Sequence, residues 1–253
     1  MYPIDYIDGD SFRLMCDFCL GQIGSEEDNQ LMYCDSGQYL EALSFIKSNK
    51  GQAFRLLSHN GDEVINACDV PDNLTVWYTQ NLNFTHPKVN PIPIGLENEH
   101  WHPAKRGAMH NLPTGRDRKI RAFMQLNPDT HKERWDLLIK LKSGNVFADY
   151  GHSLNGHNFE GYVANLISYA FCMCPRGNGI DTHRIWEALY LGCIPIVKKH
   201  VTHKCLSDLP VMLVDEWEEV TPQRLESEYR NIQEGEYKME KLSFSYWKER
   251  ILG

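Results

Sequence analysis

Apolar positions along this chain fall into short runs, and the rhythm of those runs changes near the middle. In the first hundred residues the runs are strand-length and irregularly spaced. The pattern predicts a strand over 12–16, a polar loop over 21–30, and a helix over 39–46 that ends near Asn49-Lys50-Gly51. Further strands are predicted at 54–58, running into His59-Asn60-Gly61-Asp62, at 74–79, ending at Gln80-Asn81, and at 89–94. Residues 100–116 have no apolar period and carry Pro103, Gly107, Pro113 and Gly115, which marks them as the linker.

Beyond residue 116 strands and helices alternate regularly. Strands are expected at 119–126, 145–150, 170–174, 193–197 and 211–214. Helices are expected at 130–142, with Trp135, Leu138, Ile139 and Leu141 on one side, and at 159–169 and 182–191. Residues 222–234 and 237–252 read as charged amphipathic helices. Strands joined through helices imply a parallel sheet with right-handed crossovers. The class is therefore α/β, in two domains: a smaller one over 1–112 and a nucleotide-binding one over 113–253.

Composition narrows the functions this scaffold can serve. A net charge of −8 argues against nucleic acid or an anionic membrane as partner. No apolar run approaches the length of a membrane span, and the first residues lack a basic-then-apolar leader. Several of the eight cysteines (Cys172, Cys174 and Cys193 among them) sit inside apolar runs, as reduced core thiols do. These features lead to the expectation of a cytoplasmic protein.

The chemistry concentrates in residues 174–197. An apolar strand is stopped by Pro175, a glycine turn follows, and a helix begins at Asp181 or Thr182, either of which can cap it. Gly192 ends the helix, and Ile194-Pro195-Ile196-Val197 starts the next strand. A glycine turn opening a helix is an anion site, because unpaired N–H groups and the positive end of the helix dipole face it. Arg176 and Arg184 flank the turn with guanidinium forks suited to diphosphate oxygens, and Glu187, one turn beyond Arg184, can accept both hydroxyls of a ribose. The expected donor-binding set is Arg176, Gly177, Asn178, Gly179, Asp181, Thr182, His183, Arg184 and Glu187.

Pro-Arg-Gly, then Arg, then Glu-Ala-Leu, then Gly-Cys-Ile-Pro-Ile-Val resembles the donor-binding segment of exostosin-like glycosyltransferases and, more distantly, that of fucosyltransferases. Upstream, Ser58-His59-Asn60-Gly61-Asp62 is similar to a His-Asn-Ser-Asp stretch of those enzymes, with Gly61 in place of the serine. Residues 77–81 and 93–98 are similar to companion segments, so the resemblance spans most of 54–198. It implies a GT-B fold: two Rossmann-like domains with a cleft between them, the donor in the second and a glycan acceptor against the first. It also implies a last helix that crosses back onto the first domain, and it favours a UDP-sugar while leaving a GDP-sugar open.

Inverting transfer needs a base for the acceptor hydroxyl and positive charge for the departing diphosphate. Asp62 is the expected base, with His59 and Glu63 as substitutes; a retaining reaction would need none. Arg176, Arg184 and the glycine turn can hold the diphosphate without a metal, and no Asp-x-Asp doublet is present. No cofactor is therefore expected. Second-tier positions are Gln80, Asn81, Tyr150, which can stack on a base or end its strand, and His152, in a loop with Asn155 and His157. A sugar-nucleotide epimerase and a nucleotide-sugar-binding protein without turnover are the rival readings.

Overall fold

The computed structural model describes residues 5–22, 24–25, 27–101, 106–107, 109, 117–151 and 159–253. Among the described residues the strands form two separate sheets of five, each wholly parallel. The first sheet takes β1 (Phe18–Cys19), β2 (Gln30–Asp35), β3 (Phe54–His59), β4 (Leu74–Thr79) and β5 (Val89–Pro91) in chain order. The second is built from β6 (Lys119–Met124), β7 (Ala148–Tyr150), β8 (Tyr169–Met173), β9 (Ile194–Lys198) and β10 (Met212–Val214), in the order β10-β9-β8-β6-β7. Two parallel α/β units are the architecture that the resemblance implies. The boundary expected at 112/113 lies outside the described residues, as does His152 with its loop.

Alternation along the strands sorts their side chains into layers. Met32, Cys34, Leu56 and Trp77 face outward from the first sheet onto helix α2 (Tyr39–Ser48). Ala122, Met124, Phe171 and Ile196 face outward from the second onto α3 (Lys132–Lys142) and α6 (Pro222–Glu234). The opposite faces share one apolar cluster. It joins Leu31, Tyr33 and Leu57 of the first sheet to Phe123 and Cys172 of the second, with Leu166 of α4 (Phe159–Ser168), Trp186 of α5 (His183–Tyr190) and Trp247 of α7 (Phe244–Leu252).

Three expectations are corrected. Residues 12–16 are not a strand: Gly9–Leu14 is a helix, α1, because the Asp8 carboxylate accepts from Ser11 N at 2.8 Å and caps it. Residues 237–252 are not one helix: a 3-10 turn, Met239–Leu242, gives way at Ser243, whose hydroxyl accepts from Ser245 N and starts α7 afresh. In α3, Trp135 and Ile139 are exposed, while Arg134, Leu137 and Leu138 are buried. That helix presents an arginine inward because the loop after β8 needs it, as described below. The buried run 31–34 of β2 was not singled out by the pattern at all; its neighbours on both sides are polar.

Helix α7 lies against the first unit. Phe244 packs edge-on to Phe12 of α1 at 5.4 Å between centroids, and Arg55 of β3 donates to the Ile251 carbonyl at 3.1 Å. Asp5 accepts from Ser245 N at 2.7 Å, which ties the first described residue to the last helix.

Candidate functional site

In the second sheet β6 leads outward to β7 on one side, whereas β8, β9 and β10 extend on the other. The order therefore reverses between β6 and β8. Open parallel sheets bind ligands just beyond the strand C-termini at such a point. A cavity of about 260 Å³ lies there, lined by Thr130 and Arg134 from the segment after β6 and by Gly177, Asn178, Thr182, Arg184 and Glu187 from the segment after β8.

Arg134 is the cavity-lining cation that sequence reasoning missed. Its Nε donates to the Arg176 carbonyl at 2.8 Å and its Nη1 to the Asn127 carbonyl at 3.1 Å, so its fork is fixed from both sides. Burial, and then the nearby charge of Arg184, push its pKa down to about 10, which still leaves it a cation at neutral pH. The only sequence signal was an arginine one place off the apolar stripe of α3.

Arg184 is half-buried, with its guanidinium 6.0 Å from the centre of the Tyr162 ring. Its Nε is buried and has no hydrogen-bond partner among the described residues, and the same holds for Thr182 Oγ1. Burial opposes its charge, and Tyr162, Cys172 and Glu187 more than offset that. The unpartnered Arg184 Nε and Thr182 hydroxyl, with Arg134 also lining the cavity, are groups suited to an anion. Glu187 is buried and accepts from the Tyr162 hydroxyl at 2.8 Å, which fixes the carboxylate on the cavity wall.

The glycine turn works differently from the expectation. Gly177 N donates to the Gly179 carbonyl at 3.0 Å, while Ile180 N and Asp181 N both donate to Asn81 Oδ1, at 2.8 and 2.9 Å. These N–H groups are taken up by the protein itself. A Cβ on Gly179 would lie 2.7 Å from Asn81 Nδ2, and one on Gly177 would lie 2.8 Å from Arg134 Nη2. The glycines thus admit two side chains of this chain, and the groups left to meet an anion are the arginines of the lining.

Two more of the expected donor residues, Asp181 and His183, hold the two units together, and a third, Arg176, stays within its own loop. Asp181 is buried and accepts from Ile94 N at 2.8 Å and from Trp186 Nε1 at 3.1 Å; desolvation raises its pKa to about 7. It is not the cap: Thr182 occupies the N-cap position and makes no side-chain cap bond. His183 Nδ1 donates to the Gly95 carbonyl at 2.8 Å. Arg176 folds back, donating to the Asn178 carbonyl at 3.0 Å.

On the side of the first unit a second cavity, of about 230 Å³, is lined by Asn60, Gln80, Leu96, Asn98 and Trp101. Its rim carries Trp101, 67% exposed. Asp62, Ile94 and His183 line both cavities, so they stand where the two meet. Asp62 is exposed and accepts from Asn178 Nδ2 at 3.1 Å across the junction. His59, by contrast, is 1% exposed, donates from Nε2 to the Pro93 carbonyl at 3.0 Å, and is held by desolvation at a pKa of about 4. Such a ring stays neutral and braces the end of β3. Glu63 is exposed beside Asp62, Gln80 is buried with its amide on the Gly61 carbonyl, and Tyr150 packs against the outer core of the second sheet. The serine replaced by Gly61 has no room here: a Cβ at Gly61 would lie 2.3 Å from Ser36 Oγ, so a hydroxyl from β2's end stands where that serine's side chain would begin.

No family model matches the chain. The probable glucuronoxylan glucuronosyltransferase IRX7 of Arabidopsis thaliana is 27% identical over 137 residues, which is 49% of this chain and 29% of that protein. A second probable glucuronoxylan glucuronosyltransferase of the same plant is 31% identical over 137 residues, 49% of this chain and 27% of that protein. The matched stretch is thus under a third of the length of either curated relative. Among solved structures, an alpha1,3-fucosyltransferase crystal structure aligns with 87% of this chain and 76% of its own at 15% identity and a TM-score of 0.45.

Proposed function

We propose that this chain is an exostosin-like glycosyltransferase that moves a sugar from a nucleotide-diphosphate donor to a glycan hydroxyl. One observation carries the reading: a cavity at the switch point of a parallel sheet, with Arg134 and Arg184 beside the Glu187 carboxylate, opens, at Asp62 and His183, onto a polar cavity rimmed by an exposed tryptophan. Arg134 and Arg184 fit a diphosphate, and the Glu187 carboxylate fits ribose hydroxyls. Trp101 offers a flat apolar face of the kind sugar rings stack on. The names of the plant relatives support both the reaction and a glycan acceptor, and the resemblance favours UDP over GDP as the donor nucleotide.

In this mechanism the acceptor hydroxyl lies against Asp62, which takes its proton as the oxygen attacks the anomeric carbon. The bond from that carbon to the diphosphate breaks, and its electron pair leaves on the β-phosphate oxygen. Arg134 and Arg184 stabilise the charge that develops there, a role that requires no metal. Asn178 orients the base through its bond to Asp62.

The test is calorimetric binding of UDP, GDP and uridine, followed by transfer assays. Arg184→Ala is expected to weaken nucleoside diphosphate binding by about 1.5–3 kcal/mol, the range for charge-assisted hydrogen bonds, with little effect on the nucleoside. An equal loss for both ligands would refute the diphosphate assignment. Asp62→Asn is expected to leave donor affinity intact and abolish transfer; an active Asp62→Asn enzyme removes Asp62 as base.

A further inference from the structure

A third cavity, larger than either of the two in the cleft, has no part in the proposed reaction. It measures about 360 Å³ and lies at the seam between the units. Tyr78 of β4 and Asn90 and Ile92 at β5 form one side; Lys204 and Asp208 face them, and Lys238, Lys241, Tyr246 and Arg250 complete the wall from the last turn and α7. In a chain of net charge −8, this wall carries four cations and a single carboxylate.

That carboxylate is shared. Asp208 Oδ2 lies 3.4 Å from Lys238 Nζ and 3.9 Å from Lys241 Nζ, while Lys204 and Arg250 have no ion pair among the described residues. Lys241 is the most constrained of the four. It is 5% exposed, and its ammonium donates to the Ser207 carbonyl. Desolvation depresses its pKa, and although Asp208 and Cys205 act against this, the charges of Arg250 and Lys238 depress it further. A buried ammonium crowded by like charges raises the free energy of the empty site. An anion seated among the four relieves that crowding.

The rest of the lining narrows the ligand. Tyr78 and Tyr246 are half-buried, with Tyr246 set edge-on to Trp247 at 5.4 Å, and both present ring surface rather than further charge. Aromatic faces beside an amide (Asn90) and a hydroxyl (Ser207) suit a sugar ring better than a bare ion or an acidic peptide. From this wall we propose that the seam cavity is a binding site for an anionic carbohydrate, a sugar bearing a carboxylate or a phosphate. Because its walls come from β4 and β5 on one side and from the 3-10 turn at Val201–Leu206 and α7 on the other, an occupant touches both units at once.

The test uses the full chain carrying Arg184→Ala, which weakens the anion subsite of the main cleft, and the variants of the seam cavity below separate binding there from any that Arg134 retains. Glucuronate, glucose 6-phosphate, glucose and inorganic phosphate are titrated by calorimetry. Glucuronate or glucose 6-phosphate is expected to bind saturably, at least tenfold more tightly than glucose or inorganic phosphate, and which of the two binds identifies the acid group. Lys204→Glu and Arg250→Glu, both at exposed positions, are expected to abolish that binding while thermal unfolding shows the chain still folded. Binding unchanged in these two variants refutes the site, as does the absence of binding by either acidic sugar. Inorganic phosphate binding as tightly as glucose 6-phosphate refutes the carbohydrate assignment.

Discussion

Replacing Asp181 with asparagine should change how stability depends on pH, and the size of the change follows from its surroundings. The carboxylate is 1% exposed, with no ion pair among the described residues, and its hydrogen bonds from Ile94 N, Trp186 Nε1 and the Thr182 backbone only partly offset the loss of water. Its pKa rises from 3.8 to about 7. Between those values the unfolded chain has given up a proton that the folded chain still holds, so stability falls as pH rises through the window. At about 1.4 kcal/mol for each tenfold step, the full effect is about 4 kcal/mol, present below pH 4 and lost by about pH 8. Asp181→Asn keeps an oxygen acceptor and cannot ionise, so its stability should lack this fall. Urea unfolding followed by tryptophan fluorescence from pH 4.5 to 8.5 measures both proteins. Relative to wild type, the variant should gain about 3 kcal/mol across that range. Parallel profiles would show that Asp181 ionises as easily in the fold as outside it, and the argument from burial would fail.

The glycine positions give sharper steric tests. Gly61→Ser should destabilise the fold by about 1–3 kcal/mol, since the new Cβ falls on Ser36 Oγ, and a second change, Ser36→Ala, should restore most of the loss in the same unfolding assay. Gly179→Ala should cost a similar amount through Asn81, and nucleoside diphosphate affinity should fall with it because the displaced turn leads directly into the helix that begins with His183 and Arg184. Asn81→Ala leaves Ile180 N and Asp181 N unsatisfied and should cost about 1–3 kcal/mol for each, read from the urea midpoint.

Much of this molecule was legible in its sequence because its signals are local. The strands at 54–58 and 74–79, the helix at 39–46 and the strand–turn–helix–strand of 170–197 follow from apolar periodicity and glycine placement, and the structure has them within a few residues. Where a polar side chain was the decisive local signal, as at the Asp8 and Ser243 caps, the apolar pattern alone gave the wrong element. The candidate site was harder to read because its partners are distant in the chain. Nothing near Gly179 announces that Asn81, 98 positions earlier, fills the space a Cβ would take, or that Arg134 does so at Gly177. Sequence order can name a cationic glycine turn, but it cannot say which side chains occupy it.

The apolar cluster that joins the inner faces of the two sheets bears on how the chain unfolds. Leu57 and Phe123 belong to different sheets yet share one dehydrated neighbourhood with Trp186 and Trp247, and α7 is anchored on the unit farther from it in sequence. Neither unit can therefore melt without exposing the face of the other. Denaturation should be a single cooperative transition, with calorimetric and van't Hoff enthalpies in agreement, rather than the two steps usual for chains with independent domains.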